Sequence, residues 1–164
     1  MSAGSETFDA LLLRVGRLNY AWSNTESLLI HLIAGLAGTD KDTAVIIFLT
    51  LNTTRARIDL VERLAKMPRI PGEQRQRILA LTGKVMKHSA LRNRYSHSIY
   101  AFDPESGDAR TILMRIADRK DDIKVGQSQA IDAAALSDVE AAIRDLAELN
   151  GDFWQLIRDF DYPA

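Results

Sequence analysis

The chain has 164 residues, 46% of them hydrophobic and 7% aromatic, with a net charge of -1, which suits one globular domain burying roughly 70% of its unfolded surface. It has no cysteine and three scattered histidines, which excludes disulfides, thiolate zinc sites, iron-sulfur clusters and cysteine nucleophiles and argues against a histidine-rich metal site. No stretch reaches about 18 uninterrupted apolar residues and none near Met1 has the pattern of a leader, so a cytoplasmic protein without a membrane partner is expected.

From Thr7 to about Gly38 the apolar positions Leu11, Val15, Leu18, Trp22, Leu29, Leu32 and Leu36 step by threes and fours, with Thr25 filling the gap. That spacing predicts one long helix with a continuous stripe. Asp40 or Thr39 can cap a second helix, whose face runs Ile47, Leu51, Thr54, Ile58, Val61 and Ala65 until Pro68 and Pro71 end it. A third opens near Gly72 or Glu73 and aligns Ile78, Leu81, Val85, His88 and Arg92, so its apolar stripe turns polar toward its C-terminal end.

After His97 the period changes. SIYAF, a DPESGD turn marked by Pro104 and Gly107, TILMRIADR, a DD turn and KVGQSQAI read as short strands, a β-excursion at about 98–130. Ser137 and Glu140 form the S-x-x-E box of a last helix with the stripe Val139, Ile143, Leu146, Leu149 or Asn150, Phe153, Ile157 and Phe160. The expected fold is mainly α: an antiparallel four-helix bundle in a single domain over 1–164, with a small β-hairpin or meander inserted between helices 3 and 4.

Charge is spread unevenly along these elements. Residues 66–97 carry eight Lys/Arg against one Asp/Glu, a local net of +7, whereas 98–164 carry seven against fourteen. A basic segment of this kind fits an anionic partner; a solvated basic helix facing acidic neighbours fits the same charge pattern equally well.

The basic segment ends in LRNRYSHSIYAF, where Arg92 is followed by Asn93 and, after a gap of four, by His97. Given this composition, a bare arginine-histidine pair at such spacings is expected by chance roughly 0.8 times, and the polar residue directly after the arginine lowers that to roughly 0.1. Arg92-Asn93-Arg94-Tyr95-Ser96-His97 resembles the signature of the HEPN (higher eukaryotes and prokaryotes nucleotide-binding) domains, an arginine, a polar residue and then a histidine. The four-helix organisation and the insertion before the last helix are similar too, so the resemblance covers nearly the whole chain. It implies a helical bundle that usually dimerises, with motifs from two subunits meeting at a cleft, and often a metal-independent, cofactor-free endoribonuclease activity. Such proteins recur as toxins of toxin-antitoxin pairs and in antiviral defence, so RNA or a nucleotide, a second subunit and a cognate antitoxin are the partners it implies. One departure is Ser98, where several relatives have a glycine directly after the histidine.

The chemistry fits those residue types. Cleaving RNA without a metal requires activating the ribose 2'-hydroxyl, neutralising charge on the phosphorane-like transition state and protonating the leaving oxygen. Imidazoles, which ordinarily titrate near pH 6.5, move such protons with gains of about 10² to 10⁴ in rate, and His97 is the candidate. Arg92 would fork onto two phosphate oxygens, and Asn93 would orient the histidine or bond the phosphate. One histidine does not readily serve as acid and base in one step, so two copies across a dimer axis would supply the second. On an unbroken helix Arg92 and His97 would point roughly 140° apart, so the helix is expected to loosen near Tyr95.

Around this centre, Arg94, Lys84, Lys87 and His88 are candidates to hold phosphate, and Tyr95 and Tyr100 to stack on bases. Each has a plainer reading. Arg92 and Arg94 complement the negative end of a helix, worth about 0.3 to 1 kcal/mol; His97 starts a strand; His88 is structural; one tyrosine or both pack on the bundle; the lysines face water. His31 is expected to be solvated or locally bonded, and Glu26 to reach the cleft at most. Two functions follow: a dimeric ribonuclease, or a non-catalytic module that binds a nucleotide, RNA or protein and dimerises. A metalloenzyme comes third, because DPESGD and RKDDIK lack the ligand spacing of a calcium loop and suit turns.

Overall fold

The computed structural model describes residues 3–164, with side chains from Thr7 onward. The described residues are mainly helical, with six helices and one three-stranded antiparallel sheet. The expected first helix is two, α1 (Ala3–Glu26) and α2 (Leu29–Ala37). Between them the amides of Leu28, Ile30 and His31 bond the carbonyls of Thr25, Ser27 and Leu28, the i to i-3 pattern of a tightened 3₁₀ turn. Thr25 favours the break by returning its hydroxyl to the Ala21 carbonyl at 2.8 Å. The predicted stripe survives it: Leu11, Leu18, Trp22, Leu29, Leu32 and Leu36 are all buried.

The second expected helix also divides, into α3 (Lys41–Thr50) and α4 (Thr54–Ala65). Asp40 caps α3 by accepting the Thr43 amide at 2.8 Å. Leu51 leaves the helix in an extended conformation, and Thr53 restarts it by accepting the Ala56 amide at 3.1 Å. Because of that interruption α3 buries Ala44 and Phe48, leaving the predicted core positions Ile47 and Leu51 only half-buried. On α4 the predicted Ile58, Val61 and Ala65 are buried.

Helix α5 (Gly72–Ser96) opens where the sequence suggests and leads directly into β1 (Ser98–Phe102), β2 (Ala109–Asp118) and β3 (Ile123–Ala130). These form a meander in the order β1-β2-β3, with Ile99 opposite Ile112 and Ile112 opposite Ser128. DPESGD makes the first turn. Asp103 accepts the amides of Glu105 and Ser106 at 2.9 and 3.4 Å, and Gly107 supplies the left-handed residue at φ 76°. The last helix, α6 (Ala133–Asp159), begins a turn before the expected S-x-x-E box. Asp132 is its cap, accepting the Ala135 amide at 2.8 Å, and Glu140 pairs instead with Arg14 at 2.6 Å.

The chain sorts into two compact units, Met1–Tyr20 with Ala90–Ile143, and Ala21–Ser89 with Arg144–Ala164. The first holds the sheet and buries Leu11, Val15, Leu18, Tyr95 and Val139; Phe8 stacks on Phe102 with ring centroids 5.4 Å apart. In the second, Trp22, Leu32, Ile58, Ile78, Leu146 and Phe153 are among the buried side chains. There α5 and α6 run antiparallel, as the pairs Arg77–Asp159, Lys84–Asp152 and His88–Asp145 require: as one helix is climbed, its partners on the other descend. No described helix is long and apolar enough to cross a membrane.

Candidate functional site

The quoted stretch closes α5 and opens β1, and its geometry follows from how the last helical turn satisfies its carbonyls. A helix end leaves such groups without intrahelical donors. Here the Asn93 carbonyl takes the His97 amide at 3.0 Å. The Arg94 carbonyl takes the Ser98 hydroxyl and the Tyr95 carbonyl the Tyr100 hydroxyl, each at 2.6 Å. Two side chains of β1 therefore seal the end of α5. The helix stays regular through Ser96, so the expected loosening near Tyr95 is absent, and Ser98 bonds back to the last turn. Arg92 lies within the last turns of α5, and His97 in the single-residue turn between α5 and β1.

The candidate catalytic residues sit in the first unit. His97 and Asn93 are exposed, Arg92 and Arg94 half-buried. Asn93 Oδ1 accepts from Arg92 Nη1 at 3.0 Å, so the amide holds the guanidinium and not the imidazole. Asn19 on α1 accepts from Ser96 at 2.9 Å, fixing the residue before His97 against that helix. Tyr95, the candidate for base stacking, is buried, only 5% exposed, and burial raises its phenol pKa. Tyr100 is half-buried, its hydroxyl spent on the cap, and burial first and Tyr95 second push its phenol up to about 12.

Lys84, Lys87 and His88 belong to the second unit, where they line a cavity of about 220 Å³ with Asp145, Glu148, Leu149 and Asp152. Basic and acidic groups face each other across it. Lys84 bonds Asp152 at 3.2 Å and His88 lies 3.5 Å from Asp145. Burial lowers the His88 pKa and outweighs Asp145, which raises it, so at neutral pH the contact is between a neutral imidazole and a carboxylate. Of the plainer readings, the basic helix facing acidic neighbours describes Lys84 and His88. The acidic side is part of the excess of Asp and Glu in residues 98–164, where Asp145, Glu148 and Asp152 recur at helical spacing.

Two further residues differ from expectation. His31 is buried, not solvated, and donates from Nδ1 to the Pro163 carbonyl at 2.7 Å with Trp154 beside it. Glu26 is buried as well, accepting from Thr54 at 2.5 Å and pairing with Arg57 at 3.2 Å. Among the described residues no three His, Asp or Glu side chains cluster closely enough to hold a metal ion. The chain matches no family model, no curated protein and no solved structure.

Proposed function

We propose that this protein is a metal-independent endoribonuclease of HEPN type, acting as a toxin or in antiviral defence, with its site at a homodimer interface. On this reading the broken pairs α1/α2 and α3/α4 correspond to the first two long helices of an antiparallel four-helix bundle. The observation that carries the reading is the exposed His97 and Asn93 at the end of α5, beside an Arg92 guanidinium already held by Asn93. His97 moves the proton and Arg92 grips the scissile phosphate. Two copies facing each other across the dimer axis bring His97 and the partner's His97 together, supplying the acid and the base that a single imidazole does not.

A second reading is favoured by the cavity of paired charges. With Lys84 and His88 facing Asp152 and Asp145, the protein would be a non-catalytic module that binds RNA, a nucleotide or a protein partner. Incubating wild type, His97→Ala and Arg92→Ala with mixed cellular RNA in EDTA, and mapping product ends, separates the two. Cleavage leaving 2',3'-cyclic phosphates, lost in both folded variants, is expected; cleavage unchanged in both excludes this site, and salt-sensitive binding without product supports the module.

A further inference from the structure

One face of the sheet packs inward and the other does not. Thr111, opposite Tyr100, is only 3% exposed, and Phe102 of the same face stacks on Phe8. The other face carries Ile99 opposite Ile112, and alternation adds Met114 to it; Ile99 and Met114 are 51% and 56% exposed. The Met114 amide bonds the His97 carbonyl at 3.3 Å, so the exposed His97 stands beside this aliphatic row.

A β-bulge then decides the side on which Arg115 stands. Between the pairs Leu113–Gln127 and Ile116–Val125, β2 has two residues, Met114 and Arg115, where β3 has only Gly126, at a φ of 74° that glycine takes without strain. Gly126 belongs to the outward face, since a Cβ on it would lie 3.3 Å from Ile112 Cγ2. Regular alternation would send Arg115 to the side of Leu113; the bulge puts it with Met114 opposite Gly126, on the side of the row. Lys124, through its pairing with Ala117, reaches the same face. Residues 98–130 hold five Lys/Arg and six Asp/Glu, and the fold sorts them. Asp103, Glu105, Asp108, Asp121 and Asp122 occupy the two turns, and Asp118, opposite Ile123, stands on the other face. The strands therefore present cations and no carboxylate outward. Arg110 lies near enough to Asp103 to lower that carboxyl's pKa, whereas Arg115 and Lys124 have no ion-pair partner among the described residues.

We propose that the outward face of the sheet selects single-stranded RNA and leads it to His97, with Arg115 and Lys124 on phosphates and Ile99, Ile112 and Met114 under unpaired bases. Unpaired cations select a polyanion. An exposed aliphatic row gains only from a polyanion with apolar faces to lay on it; a single strand has them, and a duplex keeps its bases stacked inside. Every residue of this surface belongs to the first unit, so one copy of the chain suffices to form it. The inference rests on the ribonuclease reading for the role of His97, and it adds the strandedness of the substrate and the residues that hold it.

The test is binding of a labelled single-stranded RNA decamer of mixed sequence, read by fluorescence anisotropy over a range of salt in a His97→Ala background that keeps the RNA whole. Arg115→Gln with Lys124→Gln should make the slope of log affinity against log salt shallower by about 1.4, two contacts at about 0.7 each. The slope that remains belongs to the cations of residues 66–97. Arg119→Gln with Lys120→Gln removes the same charge from the turn of the same hairpin, where Arg119 already pairs with Asp122 at 3.9 Å, and should change neither affinity nor slope. Ile99→Asn with Met114→Asn should weaken the single strand severalfold and leave a duplex of the same sequence unaffected. All of these side chains but that of Ile112, which is left in place, are exposed, so every variant should melt with its parent. A decamer that does not bind, a duplex bound as tightly as the single strand, or turn variants as damaging as the strand variants would each overturn the proposal. So would poly-glutamate that displaces the decamer as well as unlabelled RNA does, because the face would then take any polyanion, an acidic protein segment included. Binding that follows these expectations in a protein that never cleaves RNA would count against the ribonuclease reading alone.

Discussion

His88 faces Asp145 across the cavity, with Lys87 as its neighbour on α5, yet burial holds its pKa below 6.5. As pH falls below that value, the unfolded chain takes up a proton that the folded chain refuses, so folding loses free energy until the folded imidazole also titrates. Asp40, Asp103 and Asp159, held low chiefly by bonds from Thr43, Glu105 and Arg77, lose their contributions only below 3.8, which separates the two windows. The melting temperature should therefore drop between pH ~7 and pH ~5, and His88→Gln should flatten that drop; equal slopes would assign the acid sensitivity elsewhere. Gly35 makes a second prediction at this scale. Alanine in place of a helical glycine ordinarily gains about 1 kcal/mol, but a Cβ on Gly35 would lie 2.1 Å from the Tyr162 ring. The overlap decides the sign: Gly35→Ala should cost about 1 to 3 kcal/mol by urea unfolding, and most of that penalty should vanish in a Tyr162→Ala background.

At the scale of elements, the end of α5 is where β1 does the capping. Ser98→Ala and Tyr100→Phe each strand a carbonyl of the last turn, at a cost of about 1 kcal/mol apiece in chemical denaturation. Both substitutions should also raise amide exchange at His97, whose bond to Asn93 they leave unsupported. If neither changes stability, water replaces the hydroxyls and the seal is incidental. Elements such as SIYAF, which is β1 residue for residue, were readable because strand alternation and turn residues are local signals. The Asp40 cap was readable for the same reason. The break at Ser27 was not, because a stripe that steps by threes and fours stays in phase across a single tightened turn, and neither was that at Asn52, where the chain goes extended at Leu51 and the buried face of α3 shifts to Ala44 and Phe48. The start of α6 was misread because Asp132 and Ser137 are both competent caps, and local chemistry does not choose between them.

Over the whole molecule, the candidate site was legible as a sequence of residue types but not as a geometry. The stretch from Arg92 to His97 is legible as a set of residue types; that the Ser98 hydroxyl bonds the Arg94 carbonyl depends on where β1 turns. Charge was legible only as a sum. The net +7 of residues 66–97 fits a phosphate-binding surface and a basic helix facing acidic neighbours equally until α6 is set beside α5, where Asp159 and Asp152 take Arg77 and Lys84. This pairing has a measurable consequence for RNA. Each phosphate neutralised on a single strand contributes about -0.7 to the slope of log affinity against log salt. If Arg92, Arg94 and Lys87 alone meet phosphate, the slope should be about -2 per subunit; if all eight cations of the segment did, it would be about -5.6. Titrating a short single-stranded RNA onto His97→Ala at several salt concentrations distinguishes them. A shallow slope would mean that α6 has already claimed the basic helix and that RNA is held at the end of α5; a steep one would mean that RNA displaces Asp152 and Asp159, making the α5–α6 seam part of the binding surface.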